Sequence, residues 1–242
     1  LKGSTFSNNG MRGISAHASD VILKDVTIAN NNEEGIRLSN GSTLAVYEGG
    51  VTIEGNGINE ADQDYRAGLR LSNGSSANVN LANITSNGTG ILLEKNSSLE
   101  GGWGAADDDA LDYGISVTNN KREGVRIEGD SSMSAEYLLV KQNASAIDTN
   151  NDGDTWYHDA ISVKRGSQVN LRQSSIESNP GLALKLYTNS SANFEDTKIK
   201  NNGEGLEAIL HSTIELNRGV TIEGNGGHTL INLQARSALK SN

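Results

Sequence analysis

The residues most able to do chemistry lie in one short polar segment, 148–159. Gly153 stands at its sixth position, where a glycine permits a sharp turn. Oxygen-bearing side chains occupy its first, third, fifth, seventh and twelfth positions, and these are Asp148, Asn150, Asp152, Asp154 and Asp159. Carboxylate and amide oxygens at such positions can wrap a hard cation. The spacing therefore indicates a metal-binding loop, and a solvated Asp/Asn/Gly turn is the alternative.

This segment resembles the EF-hand calcium loop, whose sequence begins D-x-N-x-D-G. The resemblance implies calcium as the cofactor, with all five oxygen-bearing side chains as its ligands. The segment departs from that family at its last ligand, because Asp159 stands where a bidentate glutamate is usual. It also lacks the flanking helices of that family.

Four aromatic residues stand in polar segments: Trp103, Tyr113, Trp156 and Tyr157. Exposed rings beside carboxylates and arginines are a common way to hold sugars. Arg70 and Arg126 flank the same part of the chain, so these six side chains are the candidate ligand-binding residues. The alternative for each ring is that it folds back onto its own loop. The alternative for the arginines is pairing with neighbouring acids, among them Glu34, Asp64 and Glu123.

A repeated asparagine determines the elements that position these residues. Nine asparagines each follow an apolar residue by three positions, and these are Asn9, Asn31, Asn56, Asn87, Asn120, Asn143, Asn179, Asn202 and Asn225. A period of twenty-odd residues is typical of a solenoid. Because asparagine tolerates a left-handed backbone, we expect it to form one identical corner per coil.

A second column has the same register. Nine apolar residues open successive repeats, and six residues after eight of them stands a serine: Ser42, Ser75, Ser97, Ser131, Ser167, Ser190, Ser212 and Ser237. Within a repeat, apolar and polar residues alternate with a period of two, as in 36–38, 44–46 and 51–53. We name these strands A, B and C. Three short strands in about 22 residues predict an all-β fold, a right-handed parallel β-helix of about nine rungs.

Three insertions interrupt this repeat, at 58–67, 101–113 and 144–159. They hold both tryptophans and much of the acidic side-chain content of the middle of the chain. Insertions in repeat proteins map to loops on one face, where function concentrates. The register is otherwise unbroken, which predicts a single domain over 1–242.

Composition excludes several classes of function. The formal net charge of −10 argues against a nucleic-acid partner. The absence of cysteine excludes a disulfide framework, and no apolar stretch is long enough to predict a membrane span. The chain begins and ends in mid-rung without a capping helix. We therefore expect a segment of a longer protein, whose open sheet edges favour end-to-end self-association.

The asparagine corner followed by a Gly-apolar strand, as in Gly35-Ile36 and Gly90-Ile91, resembles the repeat of the pectate-lyase-like superfamily. The resemblance covers the whole chain. It implies an extracellular or cell-surface protein, most often bacterial, whose partner is a polysaccharide or cell-surface glycan. In that superfamily's lyases an arginine or lysine abstracts a proton while calcium neutralises the substrate carboxylate, which implies Arg70 or Arg126 as the base. The outward residues of strand B contain no basic row, so the usual lyase groove is not expected.

Three functions remain open. The leading hypothesis is a polysaccharide-binding domain of a secreted or cell-surface protein, with loops 101–113 and 144–159 as the contact patch and calcium ordering the second. The first alternative is a structural stalk or adhesin segment without a ligand site. The second is a calcium-dependent polysaccharide lyase or epimerase. No pair of residues specifies a proton-transfer geometry, which favours binding over catalysis.

Overall fold

The computed structural model describes residues 1–47, 49–58, 66–102, 114–145, 147–149, 155–227 and 230–241. Each coil of the chain contributes one short strand to each of three parallel sheets, and each sheet has nine strands. The described residues form no helix, so the all-β prediction is confirmed. The strand order makes the protein a parallel β-helix of nine rungs, and it is right-handed by the general rule for crossovers between parallel strands of one sheet.

The strands of the three sheets have the following bounds. Sheet A contains β2 (Ile14–His17), β5 (Ile36–Ser39), β8 (Ala67–Ser72), β11 (Thr89–Glu94), β14 (Val125–Glu128), β19 (Ile161–Lys164), β22 (Leu182–Tyr187), β25 (Glu204–Ile209) and β28 (Ile231–Leu233). Sheet B contains β3 (Asp20–Leu23), β6 (Thr43–Val46), β9 (Ser76–Val79), β12 (Ser98–Gly101), β15 (Ser132–Glu136), β20 (Gln168–Arg172), β23 (Ser191–Glu195), β26 (Thr213–Leu216) and β29 (Ala238–Ser241). Sheet C contains β1 (Thr5–Ser7), β4 (Val26–Ala29), β7 (Val51–Glu54), β10 (Ala82–Thr85), β13 (Ile115–Thr118), β16 (Leu138–Lys141), β21 (Ser175–Glu177), β24 (Lys198–Lys200) and β27 (Thr221–Glu223).

The core fills the bore of the helix because alternate residues of every strand point inward. The apolar residues that open the repeats align in register along sheet A, and these are Ile14, Ile36, Leu69, Ile91, Val125, Ile161, Leu184, Leu206 and Ile231. The buried core consists mainly of such aliphatic side chains, and Phe194 is the largest of its fully buried members. The predicted period and register are therefore confirmed.

The nine asparagines form a continuous ladder between sheets C and A. From Asn31 onward, each Oδ1 accepts two hydrogen bonds from the asparagine of the preceding rung, one from its backbone N–H and one from its Nδ2. For Asn87 and Asn120 these donor–acceptor distances are 2.9 and 3.2 Å. Asn120 Nδ2 in turn donates to Asn143 Oδ1 at 2.8 Å and to the Ile84 carbonyl at 3.3 Å. The ladder satisfies backbone groups that the turn removes from the sheets.

The backbone reason predicted for these asparagines is wrong. The ladder asparagines do not have positive φ angles. The residue immediately before each one does, and these nine residues are Asn8, Asn30, Gly55, Ser86, Asn119, Gln142, Ser178, Asn201 and Gly224. Asparagine is needed at the ladder position because its amide both donates and accepts. The left-handed corner lies one residue earlier, where side-chain type is less restricted.

The residue immediately before strand A must be small, because a larger side chain would overlap the asparagine ladder and the neighbouring backbone. A Cβ atom added to Gly90 would lie 2.9 Å from Asn120 Nδ2 and 2.4 Å from the Gly124 carbonyl oxygen.

The serine column makes a second, shorter ladder between sheets A and B. Ser131 Oγ, for example, accepts the N–H of Ser97 at 3.1 Å. Both columns found in the sequence are thus hydrogen-bonding corners.

The insertions enter at the corners of the coil. Ala67 belongs to β8 and Gly101 to β12, so the first and second insertions adjoin these strands. In the third insertion, β17 (Ile147–Thr149) and β18 (Thr155–Tyr157) pair antiparallel outside the three main sheets. Nowhere in the described ranges does a helix have the length and apolarity needed to cross a bilayer.

Candidate functional site

A groove of about 790 Å³ lies on the outer face of sheet A, over β14, β19, β22 and β25. Its lining includes Arg126, Asp159, Lys164, Lys185, Tyr187 and Glu207. His158 and Asp159, which precede Ala160 and the sixth strand of sheet A, belong to the end of the third insertion. The groove is therefore bounded by regular sheet on one side and by this insertion on the other.

Parallel register brings the groove residues together. Outward-facing positions of successive strands align in one column, and neighbouring strands lie about 4.8 Å apart. This column consists of Arg126, Ser162, Lys185 and Glu207. Two residues further along the strands, Lys164 aligns with Tyr187 in a second outward column. Side chains from four repeats are thus neighbours because they share a phase in the repeat.

The groove is richly charged and contains both donors and acceptors. Five basic and four acidic side chains line it, although the formal net charge of the chain is −10. Lys185 Nζ lies 3.2 Å from Glu207 Oε2, and Arg126 Nη2 lies 3.1 Å from Glu128 Oε2. Asn232 Nδ2 donates to Glu207 Oε1 at 2.8 Å. Such mixed groups can bind hydroxyls and anionic substituents.

Glu123 and His158 are neighbours at one wall of the groove, with His158 Nδ1 3.7 Å from Glu123 Oε1. Burial alone would raise the pKa of Glu123. The hydrogen-bonding and charge interactions with His158, together with the charge of Arg126, outweigh burial and hold this pKa at about 2. The carboxyl group of Glu123 is therefore ionised at neutral pH.

The pKa of Asp159 is shifted in the opposite direction, upward. Burial raises the pKa of its carboxyl to about 6, and the nearby charge of Glu123 adds to this. The charges of Lys185, Lys164 and His158 act in the other direction without cancelling the effect. Two carboxyls of one groove thus have pKa values far apart, which is a common property of functional sites.

The shifted Asp159 pKa predicts a specific pH dependence of stability. Because the folded-state pKa lies above the ordinary value, the folded state retains its proton between about pH 4 and 6 while the unfolded chain loses it. The contribution of Asp159 to stability therefore falls as the pH rises through this window, by up to about 3 kcal/mol. Asp159→Asn should remove this loss and stabilise the protein at pH 7 but not at pH 4.

Urea unfolding at pH 4, 5, 6 and 7, with chelator present, measures this effect. The matched control is Glu100→Gln, because Glu100 is an exposed acid on sheet B. A difference between Asp159→Asn and the parent protein that does not change with pH would contradict the prediction.

The structure separates the two arginines proposed as ligand-binding residues. Arg126 lines the groove. Arg70 is only 6% exposed, and its guanidinium contacts Glu34 Oε1 at 3.0 Å and Glu94 Oε1 at 2.7 Å. The pairing of Arg70 with Glu34, considered as an alternative from the sequence, is thus present. Arg70 lies outside the groove lining.

The remaining predicted site residues are in the second and third insertions. Trp103, Tyr113, Asn150, Asp152 and Asp154 lie outside the described residues. Asp148 pairs with Trp156 in the β17–β18 ladder, and Tyr157 is the last residue of β18. Asp159, the last of the predicted calcium ligands, is a groove residue. Among the residues that the structure describes, no group of three or more His, Cys, Asp or Glu could hold a metal ion.

Sequence reasoning missed Tyr187, Lys164, Arg165 and Lys185 as groove residues. Lys185 is a member of the outward column of strand A. Tyr187 follows it by two positions and therefore shares its face of the sheet. That spacing is the signal by which Tyr187 could have been found. The outer face of sheet B has a hollow of about 150 Å³ beside Asn170.

A comparison with known families supports the fold. Residues 1–102 match a family model described as a right handed beta helix region. With its three parallel nine-stranded sheets, the protein is a parallel β-helix repeat protein. The match identifies the β-helix and does not single out the pectate-lyase-like superfamily within it. No curated protein and no solved structure matches the chain.

Proposed function

We propose that this β-helix binds a polysaccharide in the groove on sheet A. The observation that carries the proposal is the coincidence of a groove of about 790 Å³, an exposed aromatic residue and alternating donors and acceptors on one face. Concave sites with a few convergent polar groups are the usual form of a ligand site. The proposal places this protein outside the cell or on its surface, where such polymers occur.

The shape of the groove suits a chain-like ligand. It extends over four consecutive strands of sheet A, a span of roughly 14 Å along the helix axis. A polymer lying along this axis would meet equivalent outward positions at each rung. Arg126, Lys185 and Glu207 offer it charged donors and acceptors in turn. A short compact ligand would use only part of this surface.

Tyr187 supplies the aromatic contact. Its side chain is 40% exposed and lines the groove beside Lys164 and Lys185. A tyrosine on regular sheet offers a rigid apolar ring with a polar tip, and few rotamers are lost when a ligand covers it. Sugars present apolar ring faces and hydroxyl edges that fit this combination.

Calcium is the second part of the proposal. The spacing of oxygen-bearing residues in 148–159 supports a calcium loop. The pairing of β17 with β18 closes a hairpin between Ile147 and Tyr157, and Asp159 follows two residues after its end. Asp159 would be the ligand shared with the groove, and the neighbouring charges of Lys185 and Lys164 oppose a cation there. Bound calcium would order the segment that forms the groove wall.

Tyr187→Ala tests the proposed function. We expect about a tenfold loss of affinity for any retained polysaccharide, because the variant removes the aromatic surface and leaves the polar floor intact. Affinity gel electrophoresis against a polysaccharide panel, with calcium and with EDTA, measures the effect. The control is Tyr47→Ala, since Tyr47 is 52% exposed and follows a strand of sheet B.

A structural stalk is the second candidate. Its supporting observation is the unbroken ladder of nine asparagines, which links all rungs into one stiff rod of roughly 38 Å. A stalk predicts that no polysaccharide is retained and that Tyr187→Ala and Tyr47→Ala behave alike. Retention by the parent protein, lost with Tyr187, would exclude a purely structural role.

A further inference from the structure

We infer that two asparagines at the corner between sheets A and B, Asn96 and Asn189, are acceptor sites for N-linked glycans. The inference rests on the proposed function in one respect, the location outside the cell, and it adds a covalent modification. An acceptor sequence is Asn-x-Ser/Thr, in which x is not proline. Seven such sequences occur in the chain, and they begin at Asn40, Asn73, Asn83, Asn87, Asn96, Asn143 and Asn189. The structure separates two of them from the other five.

The asparagine ladder accounts for two of the seven sequences. Asn87 and Asn143 are ladder residues that are 0% exposed, and each Nδ2 donates to the ladder asparagine of the next rung, at 3.2 and 3.3 Å. A glycan is bulky and must remain in water, so a buried amide has no room for it. These two sequences therefore follow from the corner of the coil and not from a modification.

The serine column accounts for two more. The hydroxyl residues that follow Asn40 and Asn73 are Ser42 and Ser75, which are buried members of this column. Both hydroxyls donate to backbone carbonyls, at 2.7 and 2.8 Å. In addition, Asn73 Nδ2 donates to Asn40 Oδ1 at 3.0 Å. The asparagine and the serine of these sequences thus both have partners within the fold.

The fifth sequence lies within a regular strand. Asn83 and Thr85 are outward residues of β10, and Thr85 Oγ1 accepts a hydrogen bond from Thr118 Oγ1 at 3.1 Å. A glycan here would stand on the flat face of sheet C, with a neighbouring strand about 4.8 Å away on each side. Asn83 is therefore at a more crowded position than a corner residue.

Asn96 and Asn189 differ from the other five in all of these respects. Both are exposed, have φ angles of 62° and 57°, and occupy the same position of the corner in two different coils. Their hydroxyl residues, Ser98 and Ser191, are the first residues of β12 and β23 and are not ladder serines. Across the described ranges, neither these amides nor these hydroxyls make a side-chain hydrogen bond. The two ladders therefore leave the whole acceptor sequence free at these corners.

The chemistry of the modification requires a donor and a transferase, which the secretory pathway supplies. The donor is an oligosaccharide joined through its anomeric carbon to a lipid pyrophosphate. Attack by the asparagine Nδ2 forms a bond to that carbon and breaks its bond to the pyrophosphate, which leaves, while one amide proton passes to a base of the transferase. Because both corners remain in water after folding, the attached glycan does not oppose the fold.

Secretion of the chain from cultured eukaryotic cells tests the inference. Treatment of the secreted protein with a peptide N-glycosidase in heavy-oxygen water converts each occupied asparagine to a labelled aspartate, and peptide mass spectrometry locates the label. We expect label at Asn96 and Asn189 and none at the asparagines of the other five sequences.

Ser98→Ala and Ser191→Ala should each remove the label from one asparagine. Neither should lower the melting temperature of the unglycosylated chain made in a host without the transferase, because the two hydroxyls have no hydrogen bond to lose. Ser132→Ala is the matched control, since Ser132 aligns with Ser98 on the next strand of sheet B and belongs to no acceptor sequence. It should leave both labels in place.

The outcomes separate this inference from the proposed function. Absence of label at both Asn96 and Asn189 overturns the inference. Label at Asn87 or Asn143 in the folded, secreted protein, or equal label at Asn40 and Asn73, contradicts the structural reason for the choice. Polysaccharide binding is measured separately, by affinity gel electrophoresis of the unglycosylated chain. Failure of that binding while both labels are present would overturn the proposed function alone.

Discussion

Replacing Asn120 by alanine is expected to lower the free energy of unfolding by about 4 kcal/mol or more. Asn120 is fully buried, and its side chain takes part in four hydrogen bonds with the ladder and with the Ile84 carbonyl. Alanine would leave the backbone N–H of Asn87 without its acceptor and the oxygen of Asn143 without one of its donors. Each unsatisfied buried group costs about 1–3 kcal/mol.

Urea unfolding followed by circular dichroism measures this loss. The control is Asn83→Ala, because Asn83 is exposed on the outer face of β10, four residues before the ladder position Asn87. A surface change of this kind should alter stability by less than about 0.5 kcal/mol. A loss below about 1 kcal/mol for Asn120→Ala would show that water or the backbone replaces the ladder, and the role assigned to the asparagines would be wrong.

The fold could be predicted because its determinants repeat. Each coil must present an amide at the same corner and an apolar residue at the same phase, so a local pattern is written nine times into the sequence. The sequence prediction was wrong about which residue of each corner has the left-handed backbone. Asn119 and Gln142 occupy equivalent left-handed positions, one before the ladder residues Asn120 and Asn143. The periodic column therefore reflects side-chain hydrogen bonding more than backbone preference.

The groove was harder to predict because it depends on what covers each outward position. Arg70 and Arg126 share one column of sheet A, with Leu92 between them. One is enclosed by acids from other rungs and the other lines an open groove. Sequence phase shows that both point outward. It does not show which of them remains accessible, since this depends on the corners and insertions above the sheet.

Arg70 belongs to a chain of alternating charges that crosses several rungs. Arg12 Nε contacts Glu34 Oε2 at 2.8 Å, and Arg70 contacts both Glu34 and Glu94. Burial would lower the pKa of Arg70, but the hydrogen bonds and charges of Glu94 and Glu34 more than offset this and raise it. Arg70 thus stays charged although it is buried, and the stability of the folded protein depends on each carboxylate beside it.

Glu34→Ala is therefore expected to destabilise the protein by about 4 kcal/mol. Glu34 is fully buried, and its loss removes a carboxylate from both Arg70 and Arg12, while the contacts of Arg70 with Glu94 and of Arg12 with Glu33 remain. The weaker compensation of the buried Arg70 charge, more than the lost attraction, causes the penalty. Glu34→Gln keeps the volume and removes the charge, and it should show most of the same loss.

Thermal and urea unfolding at pH 7 measure both variants, with Glu195→Ala as the control. Glu195 pairs with Arg218 at 2.8 Å, a similar distance, but the side chains of Arg218 and Glu195 are 73% and 39% exposed. Exposed pairs contribute about 0–1 kcal/mol, so the control should change stability little. Equal effects of Glu34→Ala and Glu195→Ala would mean that water reaches the Arg70 cluster. If Glu34→Gln were harmless while Glu34→Ala was severe, packing rather than charge would explain why this glutamate is buried.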